Sequence, residues 1–266
     1  MYNLSYPFIR YDRYNRYNRL YHLAPVQAAQ AQKVHLYMLH EQLDSEVLQY
    51  IIKERLQTKD GEELNKLPSL GNLAAQMRVS RGKLREELIA AQAFGVVEMR
   101  PGDGTYVRPF DFYAPIRTLV LYGIAGDKRS FDSYYKLRAQ VEISFWTEAV
   151  RALTQEDHAR LYRILEQAES RLTSTPVEIP HEEHRELHLG MFGRLDNPFA
   201  LGLIAAYWDA YEAVGLHRYY DLSYFTRMWD WHREMVDAIV AGQYDQSREI
   251  LIRHFTLLED RLSGKA

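Results

Sequence analysis

At 266 residues with 47% hydrophobic content, the chain is long enough for two domains with substantial cores. A net charge of -3 and a pI near 6.4 exclude a uniformly basic surface, so any nucleic-acid affinity has to sit in a local patch. The absence of cysteine excludes disulfides, thiolate metal sites and cysteine nucleophiles. No apolar run approaches the roughly 18 residues of a membrane helix, and the N-terminus lacks a charged start followed by an apolar core. The expectation is a cytoplasmic protein with no membrane partner.

Residues 1–40 read as an N-terminal extension. Its first part places Arg10, Arg13, Arg16 and Arg19 among Tyr11, Tyr14 and Tyr17. Interleaved cations and rings can stack on bases or lie in a minor groove. The alternative is a terminal arm that is poorly ordered or packs on the protein's own surface. From Pro25 to Gln42 an Ala- and Gln-rich stretch suits a connecting helix. Asp44-Ser45 then caps a segment in which Val47, Leu48, Ile51, Ile52 and Leu56 recur at helical spacing.

Pro68 and Ser69 fit the start of a second helix with Leu73, Ala74 and Met77 inward. Arg78-Val79-Ser80 makes a turn, and Ser80 caps a third helix that buries Leu84, Leu88 and Ala91. Outward on that helix stand Arg81, Lys83 and Arg85. Three cations crowd a first turn where the helix dipole disfavours positive charge, so stability does not recommend them. Taken alone, such a cluster reads as a solvated basic face. The adjoining residues change that reading: Val96 to Arg100 and Thr105 to Val107 are β-type runs joined by Pro101-Gly102-Asp103-Gly104, a glycine-tipped hairpin. Helices, turn and hairpin together have the layout of a winged helix-turn-helix over residues 43–109. The candidate DNA contacts are Ser69, Ser80, Arg81, Lys83, Arg85, Gly104 and Thr105. An arginine in the major groove can grip guanine with two hydrogen bonds, while Lys83 suits a phosphate.

This stretch resembles the DNA-binding domain of the GntR family through Leu67-Pro68-Ser69, Leu73-Ala74, Val79-Ser80-Arg81, Arg85-Glu86, Gly95-Val96-Val97 and Gly102 to Val107. The resemblance implies double-stranded DNA as partner, with homodimers on a palindromic operator. One departure stands out. The family carries Glu-Arg after its Leu-Pro-Ser, and this chain carries Leu70-Gly71, so that arginine contact with DNA is missing.

Residues 110–130 read as a linker with a connecting helix, from the apolar run Tyr113–Ile124 closed by Gly126-Asp127. From 131 to 262 the periodicity is helical throughout, which predicts an all-α bundle of six or seven helices. The fold class is therefore mainly α: a winged helix-turn-helix with a small β-hairpin wing, followed by a helical bundle. In the bundle's first long helix Val141, Phe145, Ala149 and Val150 form an apolar stripe. Arg138 and Glu142, four apart, read either as a surface ion pair or with Arg138 pointing into the bundle.

His184 and His188, also four apart, project from one helix face and could share a metal. His232 and His254 lie in two further amphipathic helices. By spacing alone these histidines can equally be structural. Residues 131–262, however, resemble the FCD domain of the FadR-like branch of the GntR family. The resemblance rests on Leu137-Arg138 with Glu142, Leu187-His188 with Asn197-Pro198, His232-Arg233 with Ala238-Ile239, Gly242 with Asp245, and His254. It implies a divalent metal at His184, His188, His232 and His254. The family has Asp where this chain has His184, which leaves four neutral imidazoles and no carboxylate to offset the ion. Such a set suits Zn²⁺ first and Ni²⁺ second, and disfavours Mg²⁺ or Ca²⁺. With Arg138 alongside, the expected effector is a small carboxylate. Metal affinity is expected to fall as pH drops toward about 6 and below, as the imidazoles protonate.

Two other classes stand beside the regulator. A metal-dependent enzyme would need a general base, and Glu182, Glu183 and Glu186 are the nearest acids, all expected on the solvated face. An architectural DNA-binding protein would need no effector at all.

Overall fold

The computed structural model describes residues 42–57, 66–215 and 222–262. The Tyr/Arg-rich extension and the helix expected from Pro25 lie outside the described residues. The chain divides into two compact units that meet at Pro109 and Phe110.

The first unit runs α1 (Glu46–Gln57), α2 (Leu70–Met77), α3 (Arg81–Ala93), β1 (Val97–Arg100) and β2 (Gly104–Val107). Ser45 Oγ accepts from the amide of Leu48 at 3.3 Å, while Glu87 of α3 accepts from the amide of Val47 at 2.8 Å. Two of the free amides that open α1 are thus satisfied, one of them by another helix. Val47, Ile51, Leu73, Leu84, Leu88 and Val97 are buried together as the core. The strands pair antiparallel with Val97 opposite Val107 and Arg100 opposite Gly104. Leu67 adds its amide to the carbonyl of Thr105 at 2.8 Å, so the segment before α2 is pinned to the wing.

The second unit holds α4 (Tyr113–Gly126), α5 (Arg129–Arg151), α6 (Gln155–Leu172), α7 (His181–Met191), α8 (Pro198–Ala213), α9 (Leu222–Val240) and α10 (Tyr244–Leu262). Sequence chemistry sets the boundaries. Thr154 and Asp157 form a reciprocal cap on α6. Asn197 caps α8 with Pro198 in its first turn. Gly242 adopts φ 72° after α9, a left-handed position that glycine takes without strain.

The stretch 110–130 does more than connect. Helix α4 packs on α8, where Asp209 receives the Tyr113 hydroxyl at 2.5 Å and the Arg117 guanidinium at 2.9 Å. Gly202 makes the approach possible, because a Cβ there would stand 2.9 Å from the Tyr113 nitrogen. On α5 the buried face is Tyr135, Arg138, Ala139, Glu142, Trp146, Ala149 and Val150. Val141 and Phe145, expected in the stripe, are only half-buried. The face turns because Trp146 is fully buried and its indole N–H donates to Ser247 of α10 at 2.8 Å.

Candidate nucleic-acid interface and metal centre

In the first unit Ser69 and Ser80 act as helix caps, accepting from the amides of Asn72 at 3.4 Å and Lys83 at 3.1 Å. Arg78 closes α2 with φ 57°, turning the chain tightly into α3. Helix α3 has no acidic residue in its first turn. Its three outward cations differ. The Lys83 ammonium is held by Glu46, with Glu87 3.9 Å away. Arg81 and Arg85 have no carboxylate partner among the described residues. The Arg81 guanidinium lies across Gly71, with Nη2 3.2 Å from where a Cβ would stand. The missing side chain at Gly71 therefore gives Arg81 its berth.

At the wing tip Gly102 has φ 77° and Gly104 φ 148°. Gly104 has an intramolecular reason to be glycine as well: Lys66 Cε passes 2.8 Å from its absent Cβ on the way to Asp103, which it meets at 3.0 Å. Thr105 lies half-buried in β2 beside it.

In the second unit His184 and His188 come from α7, His232 from α9 and His254 from α10, and all four converge. One ring nitrogen from each lies within 4.8 Å of the others, and all four residues are buried. Burial holds His184, His232 and His254 well below the ordinary imidazole value of 6.5, with mutual repulsion adding to it. His188 is lowered too, by burial first, with Glu142 opposing. The cluster is therefore neutral near pH 7, with lone pairs available. His184 Nε2, His232 Nδ1 and His254 Nδ1 have no hydrogen-bond partner among the described residues. Buried ring nitrogens normally find partners, and a cluster of imidazoles with three left unpartnered is a set that a divalent ion would satisfy. The residues fit a borderline-soft cation.

Arg138 points inward. It pairs with Glu142 and lies 3.0 Å from His188 Nδ1, its guanidinium 4.4 Å from the Tyr207 ring centre and 4.9 Å from that of Phe255. Of the two readings of the i,i+4 pair the inward one holds: the ion pair forms, but with 3% and 0% side-chain exposure it is not on the surface. Glu142 corrects the expectation that no carboxylate offsets an ion here, because it lies 3.2 Å from His188 Nδ1, one residue behind the cluster. Burial pushes its carboxyl up, but Arg138 and His188 together outweigh burial and hold it below the ordinary value. Spacing carried the signal: Arg138 and Glu142 sit at helical intervals between Tyr135 and Trp146. A small cavity of about 10 Å³, room for roughly one water, lies beside the cluster, lined by Arg138, His184, His254 and the rings of Tyr207, Tyr211 and Phe255.

Of the acids weighed as general bases, Glu182 and Glu186 are exposed as expected. Glu183 is not: it is buried and receives Arg171 at 2.6 Å, so it turns away from the role of a free base.

Comparison with known proteins agrees with this layout. Residues 44–107 match the family described as bacterial regulatory proteins, gntR family, and residues 133–257 match the FCD domain. The transcriptional regulator LutR of Bacillus subtilis is 26% identical over 208 residues, covering 75% of this chain and 92% of that protein. An Escherichia coli protein named as a putative L-lactate dehydrogenase operon regulatory protein is 26% identical over 235 residues, covering 84% and 87%. Among solved structures, Streptococcus agalactiae GntR shares the fold with a TM-score of 0.59 at 18% identity, over 80% of this chain and 96% of that one. Among the described residues no helix is long and apolar enough to cross a membrane. A gntR-type winged helix-turn-helix at residues 44–107 followed by an FCD domain at residues 133–257 gives this chain the two-domain architecture of a GntR-family transcriptional regulator.

Proposed function

We propose that this cytoplasmic regulator holds a divalent metal, Zn²⁺ first and Ni²⁺ second, at His184, His188, His232 and His254, and that a small carboxylate bound beside it at Arg138 changes its affinity for DNA. The observation that carries this reading is the convergence of four buried, neutral imidazoles, one ring nitrogen of each within 4.8 Å of the others, three of them carrying a nitrogen with no partner among the described residues. With Glu142 shared between Arg138 and His188 and no carboxylate among the four ligands themselves, a bound ion keeps net positive charge and draws an anion. Bound there, the ion supplies positive charge and coordination positions for carboxylate oxygens. The indole N–H groups of Trp208 and Trp229, packed on His184, lack acceptors among the described residues and could donate to such a ligand. The name of the Escherichia coli relative makes L-lactate the first probe.

On the DNA side, Arg81 and Arg85 read bases or phosphates, Lys83 joins them on leaving Glu46, and the amides capped by Ser69 and Ser80 with Gly104 and Thr105 of the wing follow the backbone. The protein acts as a homodimer on a palindromic operator, its two recognition helices entering successive major-groove faces about 34 Å apart. The FCD domain supports a place in the FadR-like branch. Acid binding that differs between DNA-competent and DNA-incompetent arrangements changes operator affinity by reciprocity, typically by about 1–3 kcal/mol.

Elemental analysis of purified wild-type and His232→Ala protein, with gel shifts on genomic fragments run with and without chelator and L-lactate, tests the reading. One metal per chain, lost in His232→Ala, and DNA binding that responds to chelator or acid support it. Equal metal content in both proteins refutes the site. DNA binding indifferent to chelator and acid alike refutes the regulation.

A further inference from the structure

His188 has two neighbours on one nitrogen that cannot both be satisfied at once. Its Nδ1 lies 3.0 Å from Arg138 Nη2 and 3.2 Å from Glu142 Oε2. A guanidinium only donates and a carboxylate only accepts. Arg138 therefore needs the Nδ1 lone pair, and Glu142 needs an Nδ1–H. A neutral imidazole has one proton, so its place selects the partner.

The other nitrogen, Nε2, faces His232 Nε2 at 3.2 Å. With Nδ1 taken up by Arg138 and Glu142, Nε2 is the nitrogen His188 can offer an ion. We infer that metal binding at Nε2 hands His188 Nδ1 from Arg138 to Glu142, and so frees Arg138 for the acid. A ligating nitrogen carries no hydrogen, so the single proton of the neutral ring must reside on Nδ1. It leaves Nε2 for solvent and an equivalent proton arrives at Nδ1, so the ring's charge is unchanged. The Nδ1–H donates to Glu142, as metal-bound imidazoles commonly do to a carboxylate behind them. Arg138 Nη2 then confronts a donor instead of an acceptor. Its Nε remains on Glu142, but a residue with 3% exposure has lost one acceptor, and a carboxylate oxygen replaces it. With the proton on Nε2, where His232 Nε2 can accept it at 3.2 Å, Nδ1 accepts from Arg138 and that place is filled. Acid binding accordingly comes after metal binding. Glu142 is a positioning residue that acts on the ion through His188.

This inference rests on the metal site proposed above, and the test separates the two. In full-length ¹⁵N-labelled protein, long-range proton–nitrogen correlation spectra of the imidazoles are recorded zinc-free and with one equivalent of Zn²⁺. The His188 signals are assigned by their loss in His188→Gln. The expected result is a change from an Nε2–H to an Nδ1–H ring on zinc addition. Zinc affinity is measured against a chromogenic chelator: Glu142→Gln is expected to weaken binding about 10- to 100-fold, and Arg138→Met to tighten it. A purely structural role would move both in one direction. Calorimetric L-lactate titrations are expected to give heat only with the zinc-loaded protein. No zinc uptake by wild type overturns the metal reading and this inference with it. Zinc uptake with His188 remaining Nε2–H, or wild-type zinc affinity in Glu142→Gln, overturns the hand-off alone. L-Lactate heats equal in the two forms, none included, overturn the binding order. Should either variant fail to fold, the wild-type spectra still decide.

Discussion

Arg138→Met isolates the energetic role of the buried ion pair. Methionine keeps most of the stem volume against Tyr207 and Phe255, so the cavity left behind is small. What changes is charge: Glu142, with 0% exposure, loses the partner that holds its carboxyl below the ordinary value. Removing one member of a buried pair commonly costs about 3–5 kcal/mol. Here a proton limits the loss. Neutralising a carboxyl of ordinary value 4.5 at pH 7 costs about 3 kcal/mol, at about 1.4 kcal/mol per pH unit. Sharing that proton with His188 draws the figure toward about 2 kcal/mol. The loss also depends on pH. In the variant burial raises the folded-state value of Glu142, so stability present at low pH is lost as pH rises, and the penalty shrinks to below about 1 kcal/mol at pH 5. Urea unfolding of the zinc-free full chain reads this directly through tryptophan fluorescence, because Trp146, Trp208, Trp229 and Trp231 all lie in the second unit. Adding Glu142→Leu to Arg138→Met should recover most of the loss. A single variant within about 0.5 kcal/mol of wild type at pH 7, or one equally destabilised at pH 5 and pH 7, would refute the reasoning.

The DNA-facing cations should separate. Arg81→Ala and Arg85→Ala each lower operator affinity about tenfold or more and reduce the salt dependence by about one ion, whereas Lys83→Ala, already engaged by Glu46, does less; equal losses in gel-shift titrations would contradict this ranking. Zinc-free protein should lose stability as pH falls through 6.5, since unfolded histidines take up protons there and the four buried ones do not, by up to about 1.4 kcal/mol per pH unit for each; a flat melting profile from pH 7.5 to 5.5 would refute it. The same burial moves proton competition for the ion below the window near pH 6 that exposed imidazoles would give, so metal content assayed at pH 6 should remain close to that at pH 7. Gly202→Ala should cost about 1–3 kcal/mol, because its Cβ would meet the backbone at Tyr113 and Phe112; unchanged thermal unfolding would mean α4 adjusts freely.

The winged unit was largely legible because its signals are local: caps at Ser69 and Ser80, inward Leu84 and Leu88 at helical spacing, and a glycine-tipped hairpin. The four histidines emerged from spacing together with family pattern. Glu142 was misjudged for a physical reason, since an Arg–Glu pair four apart looks the same on paper whether it faces water or lies between two buried aromatics. Telling them apart needed the phase of the whole helix, and the half-buried Val141 and Phe145 pulled the apparent face around by one position. The engagement of Lys83 was out of reach because its partner Glu46 is 37 positions away in the chain. The role of Gly104 in seating Lys66 was hidden likewise, since nothing local pairs a hairpin tip with a side chain from before α2.

Helix α8 carries two duties on different faces. With 16 residues it is a rod about 24 Å long. Its later turns bring Tyr207 and Trp208 against Arg138 and His188, while Gly202 and Asp209 moor the opening turn of α4. The polypeptide leaves the wing at Val107 and reaches that mooring at Tyr113. Whatever settles against Tyr207 and Trp208 therefore presses on the same rod that anchors the start of α4.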